Sequence, residues 1–178
     1  MTPLYIFDLD GTLALIDHRR ELIQHRDCFY CHGCGETPGV PECKECNGTG
    51  RLKPDWPAFF RACVDDEPNW PVISTMMTLI RAGADVRIWS GRSSAVMNET
   101  IEWLQRYVSD DVDLDELQLV MRREGDFTPD EELKSGWLAA MTEYDRRRLV
   151  AVFDDRDKVV SMWRARGVAC FQVAPGAF

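Results

Sequence analysis

The chain has 178 residues, enough for one ordinary domain with room for a small insert. About 45% of them are hydrophobic, which excludes a disordered chain. Its 21 Lys plus Arg against 30 Asp plus Glu give a net charge of −9, which disfavours the broad basic field of nonspecific nucleic-acid binding but leaves room for a local basic pocket.

The chain opens MTPLYIFDLDG. No basic segment there leads into an apolar run and a small-residue cleavage site, and no stretch nears the ~18 apolar residues of a membrane span. A cytoplasmic protein with no membrane partner is expected. Residues 4–8 (LYIFD) are an apolar run that meets Gly11, the pattern of a buried strand ending in a turn. Residues 28–54 are rich in Cys, Gly and Pro and poor in aliphatics, so they cannot build an apolar core. They read as a module inserted over 27–54 in a single domain of 1–178. Asp55 caps a helix over 55–65, and a second helix runs over 71–81 to Gly83. Residues 85–89 (DVRIW) form a strand leading into Ser90-Gly91-Arg92. Ser93 or Ser94 caps a helix with Val96, Ile101, Leu104 and Val108 at helical spacing. An acidic loop at 110–116 precedes a strand at 117–121 and a helix over 130–144. A strand at 149–153 ends at Asp154-Asp155, and a helix over 156–166 leads to a last strand at 169–173.

Strands alternating with helices predict an α/β fold, a parallel sheet with helices on both faces. Ligands bind such sheets at the carboxyl ends of the strands. Asp8 with Asp10, Ser90 with Arg92, Asp154 with Asp155, and Arg122 all fall at such ends, around one crevice. Four carboxylates at one point repel unless a hard cation joins them, and Mg²⁺ accepts a few carboxylates with water and substrate phosphate. With that charge balanced, one carboxylate can attack phosphorus and a second, two residues on, can shuttle the proton. Thr12, Ser90 and Lys134 can hold the transferring oxygens.

DLDGT at 8–12, SGR at 90–92, a later lysine and DD at 154–155, each in its strand context, resemble the four motifs of haloacid dehalogenase (HAD) superfamily phosphatases. The resemblance implies a Rossmann-like HAD fold. It implies Asp8 as nucleophile, Asp10 as general acid/base, Ser90 as phosphate ligand and Lys134 as charge anchor. Mg²⁺ would be held by Asp8, the main-chain carbonyl of Asp10, Asp154 and Asp155. Within that superfamily the strings FDLDGTLA, SGR, MR at 121–122 with GD at 125–126, and the C-terminal DDRDKVVSMWRARGVACFQVAPGAF resemble the 3′-phosphatase domain of bacteriophage polynucleotide kinases. That likeness implies a polynucleotide 3′-phosphatase of nucleic-acid end repair, with Arg19, Gly91, Arg92, Arg122 and Asp130 at the substrate. Arginines suit the task, because they fork onto phosphate oxygens and stay charged. No G-x-x-x-x-G-K-[ST] string occurs in the sequence, so no kinase half is read here. A basic residue near Asp130 in the phage domain is replaced by Thr128. A free nucleotide or other small phosphoester is the alternative substrate, and a zinc-dependent binding module on an inactive scaffold is the alternative of another class.

Five of the seven cysteines lie between Cys28 and Cys46. Cys28–Gly35 and Cys43–Gly50 both fit C-x-x-C-x-G-x-G, and two such turns supply four thiolates to one tetrahedral metal, the preference of structural Zn²⁺. The segment resembles one zinc-binding unit of the DnaJ cysteine-rich domain. Cys28, Cys31, Cys43 and Cys46 are the expected ligands, with Cys34 and His32 at non-ligand positions of the repeat. Lying between the first and second phosphatase motifs, the module is expected to form or buttress a cap. Phe29 and Tyr30 can stack on a base or pack the insert against the domain. Cys63, Cys170, Trp89, Trp103, Trp137 and Trp163 are expected in the core.

Overall fold

The computed structural model describes residues 1–24, 26–36, 42–108 and 117–176. The acidic segment 110–116 lies outside them. The chain divides into two compact units, Met1–Leu15 with Val64–Phe178, and Ile16–Cys63.

The first unit holds a five-stranded parallel sheet of β1 (Leu4–Phe7), β2 (Asp85–Ser93), β3 (Gln118–Arg122), β4 (Leu149–Asp154) and β5 (Cys170–Gln172). Their order is β3-β2-β1-β4-β5. Side chains alternate across each strand, so successive residues enter different cores. Phe7, Val86 and Ile88 meet Ile73, Met76 and Met77 of α1 (Trp70–Arg81) and Trp103 and Leu104 of α2 (Met97–Tyr107). Ile6, Trp89 and Val152 meet Leu138 of α3 (Asp130–Ala140) and Val159, Val160 and Trp163 of α5 (Asp157–Ala165). Each such side chain contributes about 1.5–3 kcal/mol on burial. Two helix layers on one parallel sheet make this the Rossmann-like HAD arrangement. Strand order reverses between β1 and β4, so the crevice opens at their carboxyl ends, beside Asp8 and Asp154.

Three elements depart from the sequence expectation. The strand expected at 85–89 runs on to Ser93, carrying the S-G-R motif within it. The helix expected over 130–144 is two helices. Met141 is extended, and the Thr142 hydroxyl accepts the Asp145 N–H (3.0 Å), starting α4 (Glu143–Arg148). A threonine with an acid three residues on is a start signal, and it outcompetes continuation. Leu104 of α2 and its flanking Val96 and Val108 are buried as expected, but Ile101 is exposed and Thr100 and Trp103 take the inner face. Cys63, Cys170, Trp89, Trp103 and Trp163 are buried, whereas Trp137 is half-buried.

At the amino ends of the strands sits a second ionic group. Asp145 accepts from Arg87 (2.9 Å) and from Nε of Arg148 (2.9 Å), and Arg148 also pairs with Asp85.

In the second unit an antiparallel ribbon pairs Arg26–Asp27 with Arg51–Leu52 and closes the cysteine segment. The helix Trp56–Arg61 follows, and the Asp55 carboxylate caps it by accepting the Ala58 N–H (2.9 Å). The aromatic rings of Trp56, Phe59 and Phe60 pack on one another.

Candidate active site and cysteine cluster

Asp8 follows β1 directly, and its N–H is held by the Phe153 carbonyl (2.9 Å), which ties the ends of β1 and β4 together. Asp154 ends β4 and Asp155 follows it. The turn after Asp8 folds back at Gly11, whose positive φ (88°) suits glycine. A Cβ there would stand 2.2 Å from the Asp155 carboxylate, so Gly11 also lets the turn close on that acid. Carboxylate oxygens of Asp8, Asp154 and Asp155 lie within 4.8 Å of one another, and all three residues are buried. Lys134 of α3 reaches into the group, donating to Asp8 (2.5 Å) and Asp154 (2.8 Å).

Three carboxylates thus crowd around the Lys134 ammonium. Burial, together with Asp154 and Asp155, holds the Asp8 carboxyl well above the usual carboxylate range, against the pull of Lys134. Burial alone would favour neutral Lys134, but Asp154, Asp8 and Asp130 outweigh it and hold the ammonium above its ordinary range. A crowd of buried carboxylate oxygens at one point is the donor set that a hard divalent cation requires, so Asp8, Asp154 and Asp155 fit Mg²⁺.

The second motif enters through an irregularity in β2. Its pairing with β3 slips between Ser90 and Ser93, so Gly91 and Arg92 have no partner in the register. The buried Ser90 hydroxyl accepts the Arg92 N–H (3.1 Å), and Thr12 donates to Asp155 (3.4 Å). Arg92, expected at the substrate, is 0% exposed. Its Nε donates to Asp10 (3.0 Å), and its Nη2 bonds both Asp10 and the buried Asp66 (2.7 Å). Thr100 takes Nη1 (3.2 Å). Arg92 therefore orients the Asp10 carboxylate, whose side chain is 17% exposed.

Arg122 and Asp130 meet at the end of β3. Arg122 donates to the Gly91 carbonyl (2.7 Å) and pairs with Asp130, which also pairs with Arg156. Arg19 belongs to the other unit. It is buried there, donates to the Phe59 carbonyl (3.1 Å) and lies 4.2 Å over the Phe59 ring.

Asp66 and Arg156 escaped the sequence reading. Arg156 could have been found, since it directly follows the acid pair at a sheet edge. Asp66 carries no local signal; only the fold brings it under Arg92, helped by Trp103, whose indole N–H holds the Asp66 carbonyl (2.8 Å).

The cysteine segment of the second unit has its own geometry. Sγ atoms of Cys28 and Cys43 are 3.8 Å apart, and those of Cys31 and Cys46 are 3.7 Å apart. A tetrahedron with ~2.3 Å metal–sulfur bonds has edges of about 3.8 Å, so the four thiols fit Zn²⁺. Two backbone N–H groups point at the sulfurs, Gly35 to Cys31 (3.2 Å) and Gly50 to Cys46 (3.3 Å). Burial pushes the Cys28 thiol up to about 11. At Cys46 burial acts the same way, but the Gly50 N–H and the neighbouring thiols bring it down to about 7. Cys34 is exposed and its thiol donates to the Cys31 carbonyl (2.8 Å), away from the quartet.

Comparison with known proteins agrees with this architecture. The family model for the phosphatase domain of polynucleotide kinase PNKP matches residues 51–178. Two solved structures are similar over 99% of this chain, each at 25% identity with a TM-score of 0.65. One belongs to the Pnkp1/Rnl/Hen1 RNA repair complex, where 44% of the matched chain is covered, and the other to a Pnkp1/Rnl/Hen1 complex, with 48% covered. The chain thus spans about half the length of the solved chains it resembles. With an acid-lined crevice at the switch point of a parallel sheet and a family match over most of its length, the chain belongs to the polynucleotide kinase PNKP phosphatase-domain family, within the HAD-type phosphatases.

Proposed function

We propose that the protein is a Mg²⁺-dependent polynucleotide 3′-phosphatase that works through an aspartyl-phosphate, and that it acts in nucleic-acid end repair. The observation that carries this reading is the pairing of an acid cluster around Asp8 with a separately clamped Asp10. An Asp8 oxygen attacks phosphorus while the bond from phosphorus to the leaving 3′-oxygen breaks. Asp10 gives that oxygen its proton. Asp10 then takes a proton from water as the water attacks phosphorus, which releases phosphate and restores Asp8. Bound at Asp8, Asp154, Asp155 and the Asp10 carbonyl, Mg²⁺ would offset the charge of both reacting anions. Lys134 holds Asp8 in its attacking orientation, and Ser90 and Thr12 are read as the hydroxyls that turn to the transferring oxygens when substrate binds.

The nucleic-acid end enters as the substrate from the family and from the arginines. Arg122 braces the rim of the site against Gly91 and Asp130. Similarity to chains of an RNA repair complex supports the same class of substrate. The cysteine module, residues 27–54, is read as forming or buttressing a cap, with Zn²⁺ structural rather than catalytic. The test compares phosphate release with Mg²⁺ from a 3′-phosphorylated oligonucleotide, a nucleoside 3′-monophosphate and a 5′-monophosphate. The reading expects the highest kcat/KM on the oligonucleotide. Equal or higher kcat/KM on the mononucleotides contradicts it in favour of a small phosphoester.

A further inference from the structure

The two cysteine turns of the second unit are near twins. Gly33 N–H bonds the Cys28 carbonyl (3.0 Å) and Gly48 N–H bonds the Cys43 carbonyl (3.1 Å). Cys28 N–H bonds the Gly50 carbonyl, and Cys43 N–H bonds the Gly35 carbonyl, both at 2.7 Å. Even Cys34 has a counterpart, since Thr49 donates to the Cys46 carbonyl (2.6 Å) as Cys34 does to Cys31. His32 and Asn47 share a left-handed backbone, with φ of 50° and 51°.

The twins differ between the paired cysteines. The second turn carries Lys44 and Glu45; the first carries Phe29 and Tyr30. Since both turns keep the same bonds, their fold makes no demand for aromatic residues at these positions. Yet Phe29 is 62% exposed and Tyr30 55%, with ring centroids 4.1 Å apart. Two large aromatics in contact with each other, their ring planes tilted by 34° and both open to water, are a surface awaiting a partner.

The neighbourhood indicates which partner. The ribbon that closes the first turn brings Arg26 and Arg51 into adjoining strands, with Lys53 just beyond, and all three are exposed. Residues 16–63 contain seven Lys plus Arg and seven Asp plus Glu, so the net charge of −9 falls wholly on the rest of the chain. This unit is where a polyanion meets least repulsion.

We infer that Phe29 and Tyr30 form a stacking platform for the bases of a single-stranded nucleic acid, with Arg26, Arg51 and Lys53 taking its backbone phosphates. The inference rests on the polynucleotide reading of the site and names the part of the chain that holds a single strand. Stacking tolerates any base, so the platform confers affinity for strand length without sequence preference.

The test measures binding of a fluorescent single-stranded oligonucleotide with a 3′-hydroxyl, which cannot be hydrolysed, to the full chain loaded with Zn²⁺. The double variant Phe29→Ala/Tyr30→Ala is expected to raise Kd by about 5- to 100-fold. The twin-position control Lys44→Ala/Glu45→Ala should stay within about twofold, since single exposed charges contribute little. Arg26→Gln with Arg51→Gln should flatten the dependence of Kd on salt. Should the alanine pair lose bound Zn²⁺, Phe29→Leu/Tyr30→Leu keeps the apolar bulk and removes the rings, with the same weakening expected. An unchanged Kd in a zinc-replete ring-less variant overturns the platform, as does equal weakening by the twin-position control. Failure of the polynucleotide reading shows elsewhere, as a wild-type chain that binds the strand but releases no phosphate from a 3′-phosphorylated end.

Discussion

Among the described residues, one sheet carries an ionic group at each end, half-buried at the amino ends of the strands and buried at the carboxyl ends, and the two differ in their balance of charge. At the amino ends of the strands, Asp85 and Asp145 face Arg87 and Arg148, two against two. The Arg87 hydrogen bond, helped by Arg148, holds Asp145 below the usual carboxylate range. At the carboxyl ends, Asp8, Asp154 and Asp155 crowd together around Lys134, and Asp8 is held above that range. A balanced group fastens α4 to β2. An unbalanced one destabilises the fold until something cationic arrives, which is the mark of a site rather than a staple.

The largest expected effect separates the two groups by function. Asp8→Asn should lower phosphate release by about 10⁴-fold or more, because no carboxylate is left to attack. Asp145→Asn should leave kcat within about threefold. Steady-state kinetics on one phosphoester substrate checks both.

Stability should separate them with opposite signs. Asp145→Asn breaks a paired group whose side chain is 15% exposed, at a cost of roughly 1–3 kcal/mol, somewhat below a fully buried pair. Asp8→Asn in metal-free protein should instead raise Tm, by about 2–5 °C. The pH dependence follows from the same shifts. Asp145, with its folded pKa depressed, adds stability above the unfolded value of about 4 that is lost as pH falls through the folded value. Asp8, with its folded pKa raised, costs stability once pH exceeds the unfolded value, and that cost vanishes as pH falls back. Mg²⁺ should raise Tm in wild-type protein and much less in Asp8→Asn. Thermal melts across pH, with and without Mg²⁺, read all of these.

The contrast was only half legible in the sequence. Asp8, Asp10, Ser90, Lys134, Asp154 and Asp155 stand at strand ends, where local pattern and short motifs place them, and the structure gathers them in one unit. The amino-end group has no motif, since Arg87 and Asp85 look like ordinary strand residues and Arg148 like a helix tail. Asp66 was invisible for the same reason, being bound through Arg92 from a distant segment. Arg92 was legible as a member of the site but not in its place, because periodicity cannot say whether a guanidinium faces solvent or a neighbouring carboxylate. A run rich in helix formers hides the break at Met141 that the Thr142 cap makes, and hydrophobicity alone puts Ile101 on the inner face that Trp103 fills.

Asp66 gives a smaller, sharper test of the carboxyl end. Its carboxylate holds the Arg92 that holds Asp10, so Asp66→Ala should loosen the proton donor without touching the acid cluster. We expect kcat/KM to fall about 10- to 100-fold on a 3′-phosphorylated oligonucleotide, whose leaving oxygen needs the proton. On p-nitrophenyl phosphate, whose leaving group does not, the fall should stay under about threefold. Equal losses on both substrates would mean that Asp66 only supports the fold.

The least direct effect concerns the second unit. Cys43→Ser should reduce bound Zn²⁺ well below one per chain and expose the segment to proteolysis, while Cys34→Ser should leave metal content unchanged. Metal analysis of the purified variants checks this.

In the proposed reaction Asp8 itself carries the phosphoryl group. The direct measurement is an acid quench of a single turnover with a 3′-phosphate-labelled oligonucleotide, followed by mapping of the labelled peptide. The account predicts transient, hydroxylamine-sensitive label on the peptide containing Asp8 and none in Asp8→Asn. Phosphate release without any labelled protein, or normal turnover by Asp8→Asn, would contradict it.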